Sequence, residues 1–171
     1  MSFEIYSELI GTQIYSLIKR IRIFLFMLMS TMGSAWACPD QQQMGDTFTL
    51  SGPELYSAKT FPVVAGGGNL LLSCRKLRGV AGENGHFMTN PDFSLDVSQM
   101  QKYELRVSVV SKCDSALLVN TPDNVWVYDD DSNGNLDALL TLNTVPDGWL
   151  DIWVGTYDGE YCNATLTLET F

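Results

Sequence analysis

The sequence predicts an all-β protein: a two-sheet antiparallel β-sandwich, jelly-roll-like, held by two disulfides. Short segments of alternating apolar and polar residues recur through the second half, with glycine- and asparagine-rich turns between them. All four cysteines lie after residue 37, as expected of a disulfide-stapled domain. No stretch after that residue has the period of an amphipathic helix.

The N-terminal segment has the pattern of an export signal. Basic residues precede the apolar run 23–32, and a small-residue cleavage pattern follows it: Lys19, Arg20 and Arg22, then Ala35-Trp36-Ala37. We therefore expect residues 1–37 to be a signal peptide and residues 38–171 to be one secreted or periplasmic domain. The apolar run is shorter than the roughly 20 residues that span a bilayer, so we expect no stable membrane insertion after cleavage.

The chain is acidic, with 20 Asp and Glu against 10 Lys and Arg. Residues 1–37 hold three of these basic residues and two of the acidic ones, which leaves 7 basic and 18 acidic residues in the predicted domain, a net charge of −11. Nucleic acids and anionic membranes require a basic face, so neither is expected as a partner. The partner is expected to be a protein or a polysaccharide.

An even number of cysteines in an exported chain indicates two disulfides, and four cysteines allow three pairings. We favour Cys38–Cys74 and Cys113–Cys162, because each pair stays within one half of the chain. No C-x-x-C occurs, which argues against a zinc or redox motif.

The strands are predicted in chain order. Segments 47–50 and 59–65 are short strands, and the apolar run in 69–75 is a buried one. Segments 93–97 and 103–109 alternate cleanly, so Phe93, Leu95 and Val97 should share one face. Further strands, each bounded by a turn signal, are predicted at 116–119, 125–128, 138–142, 149–154 and 164–169.

An acidic loop is the strongest indication of chemistry. Segment 129–137 matches positions 1, 3, 5, 6, 7 and 9 of an EF-hand-type calcium loop with Asp129, Asp131, Asn133, Gly134, Asn135 and Asp137. Leu140 replaces the bidentate Glu of position 12, so we expect a ligand from a neighbouring strand, first Asp114 and then Asp151. Calcium is therefore the predicted cofactor, and the alternative is a solvated acidic turn.

The sequence does not indicate an enzyme. His86 is the only histidine and lies in the glycine-rich segment 79–91, where we expect an exposed loop. Neither G-x-S-x-G nor H-E-x-x-H occurs. Paired carboxylates that hydrolyse glycosides remain an alternative, because acidic residues are abundant. We expect a non-catalytic accessory or binding domain.

Aromatic residues suggest an alternative function. If the aliphatic residues of segments 125–128 and 149–154 face the core, four aromatic residues fall on the outer face: Trp126, Tyr128, Trp149 and Trp153. Such a platform would stack sugar rings in a carbohydrate-binding module. The favoured interpretation is that segment 38–91 covers them, because an open patch of four aromatics is unfavourable in a soluble monomer.

Residues 92–171 resemble the bacterial pre-peptidase C-terminal domain, a small β-sandwich of secreted proteases. The matching pieces are Phe93-Ser94-Leu95-Asp96-Val97, Tyr103-Glu104-Leu105-Arg106-Val107, Cys113 to Val119, the acidic loop after Tyr128, Gly148 to Val154 and Ala164 to Glu169. The resemblance implies a non-catalytic accessory domain that binds calcium in some members. Residues 38–91 have no counterpart, and the Cys113 and Cys162 pair departs from the family pattern.

Overall fold

The computed structural model describes residues 38–171, and the predicted signal peptide lies outside the described residues. Strands dominate this part, as predicted. They are β1 (Asp46–Ser51), β2 (Lys59–Ala65), β3 (Asn69–Leu70), β4 (His86–Phe87), β5 (Phe93–Ser98), β6 (Leu105–Ser111), β7 (Ser115–Asn120), β8 (Trp126–Asp129), β9 (Leu139–Leu142), β10 (Gly148–Thr156) and β11 (Cys162–Thr170). A one-turn helix α1 (Gly52–Leu55) and a 3-10 turn (Leu71–Ser73) complete the elements.

Two sheets form the sandwich. The smaller has the order β2-β11-β6-β9. The larger is built around β10, which pairs with β5 and β4 along one side and with β7 along the other; β1 extends it beyond β5, and β8 extends it beyond β7. The predicted two-sheet sandwich is confirmed. One pairing differs from the fully antiparallel prediction, because β1 and β5 are parallel.

The main core lies between the sheets, and the predicted alternation forms it. Leu95 and Leu150 of the larger sheet and Val107 and Leu166 of the smaller one belong to this core, and each is at most 1% exposed. Their polar neighbours point away, because successive side chains of a strand lie on opposite faces.

A second apolar cluster covers the other face of the larger sheet. Segment 71–87 supplies Leu71, Leu77, Val80 and Phe87, which pack on Ala116, Leu118, Trp126 and Trp153. The buried strand predicted at 69–75 is wrong: β3 ends at Leu70, and the 3-10 turn follows. Leu71, Cys74 and Leu77 are all buried against the sheet, and they are three residues apart. Side chains three apart share one side of a 3-10 turn but lie on opposite faces of a strand, which is why a turn replaces the strand.

Both predicted disulfides are confirmed. Cys38 bonds Cys74, with Cα atoms 5.7 Å apart, and Cys113 bonds Cys162, with Cα atoms 6.4 Å apart. The first ties the start of the described chain to the covering segment, and the second ties the β6–β7 connection to the start of β11. No helix within residues 38–171 is long and apolar enough to cross a membrane.

Candidate functional site

The acidic loop connects β8 to β9 through a tight turn. Gly134, Asn135 and Leu136 have φ angles of 76°, 55° and 61°. The Asn133 N–H donates to the Asp137 carbonyl at 2.8 Å, and the Asp137 N–H donates to the Gly134 carbonyl at 3.0 Å. The sharp turn predicted at Gly134 is confirmed. Three successive residues there have the left-handed conformation, which glycine and asparagine tolerate best.

Asp129 is bound by donors of its own loop. One carboxylate oxygen accepts from the Ser132 N–H at 3.1 Å and from the Leu139 N–H at 2.8 Å. The other accepts from the Ser132 hydroxyl at 2.5 Å. Asp129 therefore joins the beginning of the loop to its end through hydrogen bonds, as Asp side chains do in turns.

Asp137 is buried, with 3% of its surface exposed. One of its carboxylate oxygens accepts from the Ser111 N–H and hydroxyl, each at 2.9 Å, and from the Ser115 hydroxyl at 3.3 Å. The Asn133 side-chain amide donates to the Val109 carbonyl at 2.7 Å. These contacts fasten the loop to β6 and β7, so Asp137 and Asn133 have structural roles in this conformation.

Three of the six predicted ligands, Asp129, Asn133 and Asp137, are thus engaged in hydrogen bonds within the protein. Within residues 38–171, no three His, Cys, Asp or Glu side chains converge as metal ligands. The predicted second-choice ligand, Asp151, lies elsewhere and accepts from the Ser94 hydroxyl at 2.5 Å. Burial raises the pKa of Asp151, and the Ser94 hydrogen bond opposes that shift.

A second group of carboxylates lies near the loop, and one of them, Asp158, accepts from the Glu160 N–H at 3.0 Å. Partial burial raises the pKa of Asp114, and the charges of Asp130, Asp158 and Asp131 raise it further. Asp114 thus lies near Asp131 of the acidic loop and near two carboxylates outside the predicted ligand set, Asp130 and Asp158. We call Asp114, Asp130, Asp131 and Asp158 the acidic end of the sandwich. Burial, followed by the charge of Asp130, also raises the pKa of the adjacent Tyr128.

The predicted aromatic platform is not open. Trp153 is fully buried and Trp126 is 8% exposed, and their ring centroids are 5.2 Å apart beneath the covering segment. Tyr128 is partly buried against Phe87, and Trp149 is the one member of the four with a large exposed fraction, 47%. The favoured prediction, that segment 38–91 covers these rings, is confirmed for Trp126 and Trp153, on which residues 71–87 pack.

His86 also differs from its prediction. It lies on β4 rather than in an exposed loop, paired with Thr156 of β10 and packed against Gly159. Its Nδ1 atom is buried without a hydrogen-bond partner in the described part of the chain. Ser94 and Asp151 form a hydrogen-bonded pair on neighbouring strands, β5 and β10.

A carboxylate that the sequence analysis did not single out is the most perturbed. Burial raises the pKa of Asp92 to about 7; the hydrogen bond from the Val154 N–H, at 2.7 Å, opposes this, and the charge of Asp46 adds to it. Nothing in the local sequence marks Asp92, because its burial depends on β1, β2 and β10 meeting around it.

Asp92 should make stability depend on pH. The pKa of Asp92 in the folded state lies above the ordinary value of 3.8. The contribution of Asp92 to stability is therefore full below pH 3.8 and is lost as the pH rises through 7. The Asp92→Asn variant keeps an acceptor for the Val154 N–H and removes the charge. Between pH 5 and pH 9 we therefore expect the free energy of unfolding of wild type to fall by about 2 kcal/mol relative to that of this variant. Urea unfolding at both pH values measures the difference. Parallel changes in wild type and Asp92→Asn would contradict the perturbed pKa, and Asp96→Asn, on the strand β5 that follows Asp92, is the control.

These features define an all-β, disulfide-bonded sandwich with an acidic end. The fold is similar to the pre-peptidase C-terminal domain of a Bacillus anthracis collagenase, with a TM-score of 0.45 and 13% identity over 76% of this chain and 99% of that one. It is also similar to Aeromonas hydrophila PliG, a periplasmic inhibitor of g-type lysozyme, with a TM-score of 0.42 and 10% identity over 75% of this chain and 99% of that one. The resemblance predicted from the sequence thus has a counterpart among solved structures. No protein-family model and no curated protein matches this chain.

Proposed function

We propose that this chain, after removal of residues 1–37, is a secreted or periplasmic accessory domain that binds a protein partner and has no catalytic activity. The two disulfides support export, because such bonds form and persist in oxidising compartments. The net charge supports a protein partner over nucleic acid. A sugar-stacking function is not favoured, since Trp126 and Trp153 are buried.

We further propose that calcium stabilises the acidic end. The observation that carries this proposal is the proximity of four carboxylates from three loops: burial raises the pKa of Asp114, and the charges of Asp130, Asp158 and Asp131 raise it further. A divalent cation would remove this repulsion, and calcium accepts carboxylates from several loops in flexible geometry. Of the predicted ligands, Asp114 and Asp131 would hold the ion, joined by Asp130, after their side chains turned towards it, since the three do not converge in this conformation. Asp129, Asn133, Asn135 and Asp137 would shape the loop.

Calcium should raise the melting temperature. At a free concentration 100 times the dissociation constant, a ligand that binds only the folded state stabilises it by about 2.7 kcal/mol. We expect a melting temperature several degrees higher in calcium than in EDTA.

Two variants locate the effect. The double variant Asp114→Asn/Asp131→Asn should melt at the same temperature in calcium and in EDTA, because it keeps the hydrogen bonds of Asp129 and Asp137 and loses two ligands. Asp96→Asn, a partly exposed carboxylate of β5, should respond like wild type. Equal melting of wild type in calcium and EDTA would rule out the calcium site.

A further inference from the structure

A cleft opens where the edges of the two sheets meet, away from the acidic loop. The carboxylates of Asp46 and Asp92 line it together with Pro62, Val63, Phe93 and Asn163, and its volume is about 350 Å³. It lies between β1 and the start of β5 on one side and β2 and β11 on the other. This volume is at the lower end of the range for small-ligand sites, roughly 300–1,000 Å³.

The backbone holds Asp46 next to Asp92 along the edge of the larger sheet. The Asp46 N–H donates to the Asp92 carbonyl at 2.9 Å, and the Gly45 N–H donates to the Ser94 hydroxyl at 3.1 Å. A Cβ at Gly45 would lie 2.4 Å from the Pro91 carbonyl oxygen. Only glycine, which has no Cβ, therefore lets the chain come this close to the residues that precede β5. The placement of Asp46 beside Asp92 is therefore built into the fold.

The carboxylate of Asp92 has one backbone donor and a neighbour of like charge. One oxygen of Asp92 accepts from the Val154 N–H, and the charge of Asp46 raises the pKa of Asp92 rather than lowering it. In the described part of the chain, no lysine or arginine acts on Asp92 strongly enough to lower its pKa. Two ionised carboxylates in one cleft with apolar walls are unfavourable when no cation binds between them, because burial and like charge both oppose ionisation.

The composition of the cleft decides which cation fits. Calcium or magnesium would need roughly six or more oxygen ligands, whereas much of this wall is the apolar surface of Pro62, Val63 and Phe93. A basic side chain matches both parts: its methylene groups would pack on the apolar wall, and its charged head would meet the carboxylates. Exposed apolar side chains on the two neighbouring strands, Phe48 at 37% and Val64 at 54%, would extend the contact.

We propose that this cleft binds one lysine or arginine side chain of a partner protein, with the cationic head between Asp46 and Asp92. The inference goes beyond the calcium proposal and uses none of its residues. The strong acidity of the chain would draw a basic partner towards the surface and increase the rate of association.

A short peptide tests the proposal. The probe is an N-acetylated, C-amidated pentapeptide with one lysine between glycines, so that lysine carries its only charge. In an NMR titration of the purified protein at pH 8, we expect saturable shifts of the Val63, Val64 and Phe93 amides with a roughly millimolar dissociation constant. The arginine peptide should move the same amides, and the peptide with norleucine in place of lysine should not.

Variants and pH assign the binding to the two carboxylates. Asp92→Asn should weaken binding about tenfold, and Asp46→Asn, which removes an exposed carboxylate without risk to the core, about threefold. Lowering the pH to 5.5 should weaken binding to wild type and leave Asp92→Asn nearly unchanged. Asp96→Asn should bind like wild type.

Three results would overturn the inference: equal binding of the norleucine peptide, unchanged affinity in both cleft variants, or lysine-dependent shifts at residues 129–137 instead of the cleft. Calcium chloride that moved the cleft amides more strongly than the lysine peptide at equal concentration would overturn the ligand class. None of these results depends on the calcium melts, so the two proposals fail separately.

Discussion

Replacing Trp153 by alanine is expected to lower the free energy of unfolding by about 3–5 kcal/mol. Trp153 is fully buried, belongs to the second apolar cluster and packs on Trp126 with ring centroids 5.2 Å apart. Its indole N–H donates to the Thr89 carbonyl at 3.3 Å, so the variant also removes a contact between β10 and the chain that follows β4. The loss combines a large cavity with an acceptor left without its donor.

Urea unfolding followed by circular dichroism measures this change without relying on tryptophan fluorescence. Trp149→Ala is the matched control: it removes the same side chain from the same strand at a position 47% exposed, and we expect its effect to be within about 0.5 kcal/mol. Similar losses in the two variants would mean that the covering segment does not pack on Trp153, and the aromatic surface would then have to be treated as open.

Removing the Cys113–Cys162 disulfide in the double variant Cys113→Ala/Cys162→Ala should cost about 4 kcal/mol. The two residues are 49 positions apart, and closing a loop of that length restricts the unfolded chain by roughly that amount in the chain-entropy treatment. For a domain of this size, the melting temperature should fall by about 10–15 °C. Thermal melts followed by circular dichroism measure the shift.

Mutating both cysteines leaves no free thiol that exchanges with Cys38 or Cys74. Thr165→Ala, an exposed change on β11, is the control and should melt like wild type. A shift below about 2 °C for the double variant would mean that the disulfide contributes little beyond the pairing of β6 with β11, which already holds these strands together.

Much of the sandwich could be predicted because its signals are local. Alternation in segment 93–97 depends only on the period of a strand, and Phe93, Leu95 and Val97 are buried as predicted. Residue type alone predicts the sharp turn at Gly134, and the positive φ of this glycine agrees with it. The disulfide pairing was chosen by sequence distance among three possibilities, and both bonds are confirmed.

The candidate site was harder to predict, because a loop motif lists ligands without saying what else they contact. Asp129 and Asp137 match their calcium positions, yet serine and backbone donors occupy them: Ser132 and Leu139 for the first, Ser111 and Ser115 for the second. Ser111 and Ser115 precede Asp137 by 26 and 22 residues, and the pairing of β6 with β9 and of β7 with β8 brings them to it.

Residue type and spacing along the chain thus determined the class of fold, the two disulfides, the turn of the acidic loop and the face on which each aromatic residue lies. These features depend on the period of a strand and on the chemistry of single residues. Contacts between distant segments settled the rest: the parallel β1–β5 pair, the cover over Trp153 and the meeting of Asp46 with Asp92. Burial and charge proximity are properties of assembled surfaces, so segment 71–87 and the edge of β1 had to be in place before either could be known.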